Sequence, residues 1–385
     1  METICGRDPA SGAMLEILVA EGVVTGIRHG VCDADVWIAP GLVDLQVNGY
    51  SGIDLNSEAC TVHDVCLLVR RLACLGTTTF LPTIITAPVA KMAACLKTIA
   101  EARAADAMVR HAIPCVHLEG PHISPLDGYR GAHAVEHVRP PSIEEFALLQ
   151  AGCGNLIGMV TLSPHWVGSA EFVRALVGQG IVVSLGHTHA TGEQIRAAAE
   201  AGARLSTHLG NGIAAELPRH PNPLWEQLAE DRLSACFIAD GAHLSAATMR
   251  AMMRAKGFER CVLVSDAVAL AGSPEGAYRA DVGGEVVIGP DGAIRLRGSN
   301  LLAGSGIVLK DGVARVAAEL SLGTALTMAT SNPGAFVRAR GVLRVGADAD
   351  LITFRWRSGD TTLQVQDVMV RGRVMQQESE ENLSR

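Results

Sequence analysis

Between residues 42 and 266, short apolar runs alternate with longer stretches whose apolar positions recur at helical spacing. Runs of the first kind fit buried strands, and the second kind fits amphipathic helices packed over them. The pattern predicts strands at Leu42–Asn48, Thr77–Thr83, Pro114–Glu119, Leu156–Leu162, Ile181–His187, Arg204–His208, Ser234–Asp240 and Cys261–Asp266. Helical periodicity separates most of them, as in HDVCLLVRRLACLG, VAKMAACLKTIAEARAAD, SAEFVRALVGQG and TGEQIRAAAEAG. Such alternation makes an α/β protein, and eight strands with intervening helices are the layout of a (β/α)8 TIM-like barrel. A doubly wound open sheet is the competing arrangement, and it demands a Gly-rich phosphate loop after the first strand. The segment there is QVNGYSGIDLN, which lacks GxGxxG and disfavours it.

The two chain ends read differently. MLEILVAEGVVTGIRHG and DVWIAP at one end, and GADADLITFRWRSGD and TLQVQDVMVRGRVMQ at the other, carry period-two patterns and no strong catalytic candidate. We expect residues 1–40 and 346–385 to pair into a small β-sandwich domain, leaving residues 41–345 as the barrel.

Polar residues fall where the barrel strands end: Gln46, Asn48, Glu119, His165, His187, His208, Asp240 and Asp266. In a barrel that end is the active-site face. Any one of them could be a satisfied turn residue, but eight at corresponding positions point to a site. Imidazole and carboxylate suit Zn²⁺, with Fe²⁺, Mn²⁺ or Co²⁺ in similar geometry. A catalytic site needs about three protein ligands and an open position; Glu119, His187 and His208 fit that count. Asp266 then fits the role of general base, taking a proton from the attacking water and returning it to the leaving group. His189 invites a His-x-His reading with His187, but is expected in the turn before the TGEQ helix. His117 is read as a packed, hydrogen-bonded histidine, and His122 and His165 as supporting or solvated groups.

Absences narrow the metal count. Two-metal barrels of this kind use His-x-His on the first strand and a bridging modified Lys on the fourth. Here Gln46 and Asn48 stand in the first place, and the chain's lysines are Lys91, Lys97, Lys256 and Lys310, none of which ends the fourth strand. One divalent ion is therefore expected.

Composition agrees with such an enzyme. The chain has 385 residues, enough for a large core, with 41 Gly for tight turns. A net charge of -8 gives no overall basic field for nucleic acid or an anionic membrane. The 10 Cys form no CxxC pair and mostly lie in apolar segments, as reduced packed thiols do. No secretory signal pattern or bilayer-length apolar run occurs, so the expectation is a soluble, cytoplasmic protein.

The ordered set APGLVDLQVNGYSGIDLN, HLEGPHI, GYRGAH, GHTHAT, THLGN, ADGAHL, VSDA and LAGSG resembles the N-acetylglucosamine-6-phosphate deacetylases of the amidohydrolase superfamily. The likeness runs over nearly the whole barrel, and GVLRVGADADLITF resembles that superfamily's return into its small β domain. It implies hydrolysis of the acetamide of N-acetylglucosamine 6-phosphate, with Glu119, His187 and His208 as ligands of one divalent ion, foremost zinc, and Asp266 as acid/base. It assigns His133 to polarising the acetyl carbonyl. It assigns Ala132, Asn211, Gly212, Arg219, His243, Leu302, Ala303 and Gly304 to the substrate, with Arg219 a phosphate anchor supplied across a homodimer interface. The departures lie around and after Asn211: Gly210 stands where relatives carry a bulky residue, and His220 follows Arg219. They keep open a different N-acetylated sugar (N-acetylgalactosamine 6-phosphate or an unphosphorylated one) or another small-molecule amide. A non-catalytic binding protein is disfavoured, because the ligand set and the base are all present.

Overall fold

The computed structural model describes residues 2–31 and 35–375. Parallel strands form in all eight expected places, at Leu42–Val47, Thr77–Ile85, Val116–Glu119, Ile157–Leu162, Val182–Leu185, Leu205–Ser206, Ser234–Ile238 and Cys261–Val264. Each pairs with the next in chain order. The last meets the first through a parallel bridge between Val47 and Ala267. There the Asn48 N–H donates to Ala267 O at 2.8 Å and the Asp266 N–H to Gln46 O at 3.0 Å, closing the barrel. Leu42–Val47 and Thr77–Ile85 are buried at every residue, so no period-two alternation marks them.

Helices follow the strands closely. Thr61 and Thr191 close capping boxes with Asp64 and Gln194, starting Val62–Cys74 and Gly192–Ala201. Reciprocal capping satisfies the first free N–H groups and fixes where the chain turns back from the rim.

Both chain ends enter one seven-stranded sheet, in the order Arg373–Val374, Gln364–Val370, Leu351–Arg355, Trp37–Pro40, Glu2–Arg7, Met14–Ala20 and Val23–His29. Ile17, Val19, Val24, Ile38, Leu351 and Met369 form a small core of its own. The opposite side, with Ile352, Phe354, Val368 and Val370, joins the helices Leu309–Glu319 and Leu322–Ala329. Residues 1, 32–34 and 376–385 of the expected β domain lie outside the described residues.

Two features depart from the sequence reading. A three-stranded antiparallel meander, Gly276–Ala280, Gly284–Ile288 and Ile294–Leu296, follows the eighth strand. Its turn signals are plain, since YRADVGGEVVIGPDGAIRL carries two Gly-bearing turns between β-rich runs. Val286, Ile288 and Ile294 pack it on Ile85 and Val268 beside the barrel mouth. The second departure is at the strand ends: the ladder stops at Leu185, Ser206 and Val264, before His187, His208 and Asp266.

Candidate active site

The early strand ends have a backbone cause. His187, His208 and Asp266 take left-handed conformations, with φ of 48°, 26° and 51°. Non-glycine residues there cost about 1–3 kcal/mol each, a strain that collects at functional sites. It lifts each side chain out of the ladder toward the axis. Gly120, directly after Glu119, is also left-handed, with φ of 84°.

The four side chains meet. Glu119 Oε1 lies 3.2 Å from His187 Nε2 and 2.9 Å from His208 Nε2. Gln46 Nε2 donates to Glu119 Oε2 at 3.0 Å and to Asp266 Oδ1 at 3.1 Å. Asn48 Nδ2 donates to the same Asp266 oxygen at 2.8 Å. His187 Nδ1–H donates to the Tyr129 carbonyl at 2.8 Å, so Nε2 is the nitrogen that faces the carboxylate oxygen, with a lone pair free for a cation whenever it carries no proton. Two acceptors at that distance repel unless a cation or proton lies between them. Two imidazole nitrogens and a carboxylate oxygen are the donor set of a borderline divalent ion, and the carbonyl-anchored Nδ1 is the outer-shell partner that ligating histidines use. The residues therefore fit a metal. A nitrogen of His133 joins Glu119 and His187 in a second grouping, with ligand atoms within 4.8 Å of one another.

Electrostatics follow from burial. Burial alone would raise the Glu119 carboxyl, but the His187 and His208 hydrogen bonds and charges hold it well below the usual range. Burial and the nearby Glu119 charge push Asp266 up to about 6. Burial, reinforced by His187, pushes His133 down to about 3, so it stays neutral.

A cavity of about 480 Å³ opens over this group, within the range for small-molecule sites. Ala132, His133, Asn211, Gly212, His243, Leu302 and Gly304 line it, together with Asn48, Ile85, Ile213, Val282 and Asn300. Asp240 accepts from His243 Nδ1 at 2.7 Å and orients that ring. Gly212 is needed as glycine, since a Cβ there would lie 2.6 Å from His187 Nδ1.

One assignment needs correction. Ala303 is fully buried and packs with the meander instead of lining the cavity. Arg219 is exposed on the segment before Pro223 and does not line the cavity of its own chain. No Arg or Lys among the described residues lines it.

The remaining histidines go elsewhere. His117 is buried between Leu45 O and Thr161 Oγ1. His189 turns away to Ser124 Oγ at 2.7 Å and stacks on His165, with ring centroids 4.2 Å apart. His122 is tied to the Arg139 carbonyl. The sequence reading missed Val282 and Asn300; the meander's turn signals would have pointed to them.

The chain is 33% identical over 354 residues to an N-acetylgalactosamine-6-phosphate deacetylase of Shewanella sp. (strain ANA-3), covering 87% of this chain and 86% of that one. It is 32% identical over 327 residues to the N-acetylglucosamine-6-phosphate deacetylase of Bacillus subtilis (strain 168), covering 83% and 81%. A solved mutant of N-acetyl-D-glucosamine-6-phosphate deacetylase from Mycobacterium smegmatis, in complex with N-acetyl-D-glucosamine-6-phosphate, superposes with a TM-score of 0.85 at 26% identity, covering 97% of this chain and 100% of that one. The Amidohydrolase family matches residues 37–375, and the chain belongs to that family of metal-dependent, amide-hydrolysing enzymes.

Proposed function

We propose that this chain hydrolyses the acetamide of N-acetylglucosamine 6-phosphate to glucosamine 6-phosphate and acetate. The observation that carries the reading is the convergence of His187 and His208 on Glu119, with Asp266 tied to the same carboxylate through Gln46, beneath a sugar-sized cavity. Relatives that act on N-acetylated hexosamine phosphates support the substrate class.

Glu119, His187 and His208 would hold one divalent ion, foremost zinc, which when bound supplies Lewis acidity and a more acidic water. Asp266 takes a proton from water as the oxygen attacks the acetyl carbon. It then delivers that proton to nitrogen as the carbon–nitrogen bond breaks, because an amine leaves poorly as an anion. His133 donates a hydrogen bond to the carbonyl oxygen as it gains charge. Gln46 and Asn48 hold Asp266 against Glu119 throughout.

The cavity offers the phosphate Asn211, Gly212 and His243 but no guanidinium of its own. Arg219 therefore reaches it from a second copy, making the working unit a homodimer. Among the described residues, no helix is long and apolar enough to cross a membrane, and we assign the protein to the cytoplasm, where phosphorylated sugars are retained.

Acetate release from N-acetylglucosamine 6-phosphate, N-acetylgalactosamine 6-phosphate and their unphosphorylated forms tests the reading. The first is expected to give the highest kcat/KM. Preference for the galacto epimer or an unphosphorylated sugar would reassign the substrate, and no acetate from any of them would overturn the proposal.

A further inference from the structure

We propose that Thr86 sets the tautomer of His133, and so decides that this histidine offers a proton to the substrate carbonyl instead of a lone pair to the metal. The inference rests on the reading of His133 as the carbonyl's partner.

Thr86 directly follows the second barrel strand, Thr77–Ile85, and is buried, as is His133. Its Oγ1 lies 2.8 Å from His133 Nδ1. The space for that hydroxyl is reserved by Gly120, where a Cβ would stand 2.2 Å from Thr86 Oγ1. The glycine after the Glu119 ligand thus makes room for the group that orients the neighbouring imidazole.

Direction follows from satisfiability. Among the described residues, the hydrogen bond of the Thr86 hydroxyl is to His133 Nδ1. A buried hydroxyl proton without an acceptor is costly, whereas an unused lone pair costs less. Thr86 Oγ1–H therefore donates, Nδ1 accepts, and the ring proton sits on Nε2.

His187 shows the opposite arrangement. Its Nδ1 faces the Tyr129 carbonyl, which can only accept, so its proton sits on Nδ1 and its Nε2 keeps a lone pair. Rings 4.5 Å apart are thus sorted into ligand and hydrogen-bond donor by a carbonyl behind one and a hydroxyl behind the other. Thr86 is a positioning residue that acts through His133 and touches no substrate.

Thr86→Val removes the hydroxyl at nearly constant shape, and Thr86→Ser restores it. Thr86→Val is expected to lower kcat about 10–100-fold, the usual scale for outer-shell partners, with KM and metal content per chain nearly unchanged. Thr86→Ser should recover most of kcat. Nitrogen-15 NMR of imidazole-labelled, metal-loaded wild type should place the His133 proton on Nε2, and a wild-type proton on Nδ1 would overturn the proposal even if Thr86→Val failed to fold. Full kcat in Thr86→Val, alongside a disabled His133→Asn, would also overturn it. So would loss of metal in Thr86→Val, which would make Thr86 part of the metal site. Full activity in His133→Asn would instead defeat the underlying reading of His133.

Discussion

Two buried carboxylate–histidine groups sit at opposite ends of the barrel, and the chain treats their charge differently. At the N-terminal end, Asp350 takes His111 Nε2 at 2.7 Å, Arg340 Nη1 at 3.4 Å and the Arg371 N–H at 2.8 Å. Arg340 also reaches Asp348 at 2.8 Å. At the C-terminal rim, Glu119 meets two histidines and shares the Gln46 amide with Asp266, which also takes Asn48, and no Arg or Lys among the described residues lines their cavity. The same residue types thus make a structural clamp where the chain supplies its own cation. They make a site where the positive charge must be bound.

Substitution at each end should separate the two kinds of group. Asp266→Asn keeps the Asn48 contact geometry but cannot carry a proton. A loss of about 10²–10⁴-fold in kcat/KM is expected, with melting temperature and metal content retained. Asp350→Ala should do the reverse. Breaking the buried pair leaves His111 and the Arg371 N–H without their acceptor, while Arg340 keeps Asp348, so urea unfolding should show about 3 kcal/mol lost while kcat/KM of the folded protein stays near wild type. Equal damage to activity in both variants would erase the distinction.

Gly212→Ala sharpens it further. The added Cβ would crowd His187 Nδ1 at a residue with φ of 59°, competing with the Tyr129 contact. Metal affinity, measured by competition with a chelator, should fall about 10–100-fold, with a smaller change in stability.

The pH profile gives the smallest effect. Asp266 must be ionised to accept a proton, and burial beside Glu119 lifts its carboxyl to about 6. A bound cation would lower it from there. The acid limb of kcat/KM should therefore have its midpoint at or below about pH 6 and fall about tenfold per unit below it. A midpoint above 7 would remove Asp266 from the role.

Much of this was legible in the sequence because the barrel repeats one pattern. Glu119, His187, His208 and Asp266 stand out as polar residues closing apolar runs, and Gln46 and Asn48 by occupying places where ligands would otherwise stand. What the pattern lacks is direction. His189 lies two positions beyond His187, yet one faces a carboxylate and the other a serine, with a left-handed residue at His187 between the two directions. Ala303 belongs to a cavity-lining segment but points into the packing of a meander that helix-and-strand alternation does not anticipate. Arg219 carries the right charge on a segment that leaves the cavity of its own chain. Thr86 has no signal at all, since its importance lies in a contact with a residue 47 positions away.

Everything at the rim turns on the cation that Glu119, His187 and His208 would hold. Metal content per chain, measured by mass spectrometry after reloading of chelated protein, tests it directly in the wild type, His187→Ala and Asp350→Ala. About one divalent ion is predicted in the wild type and in Asp350→Ala, and almost none in His187→Ala, with acetate release tracking the ion. Full activity in a metal-free wild type, or equal metal content in His187→Ala, would contradict it.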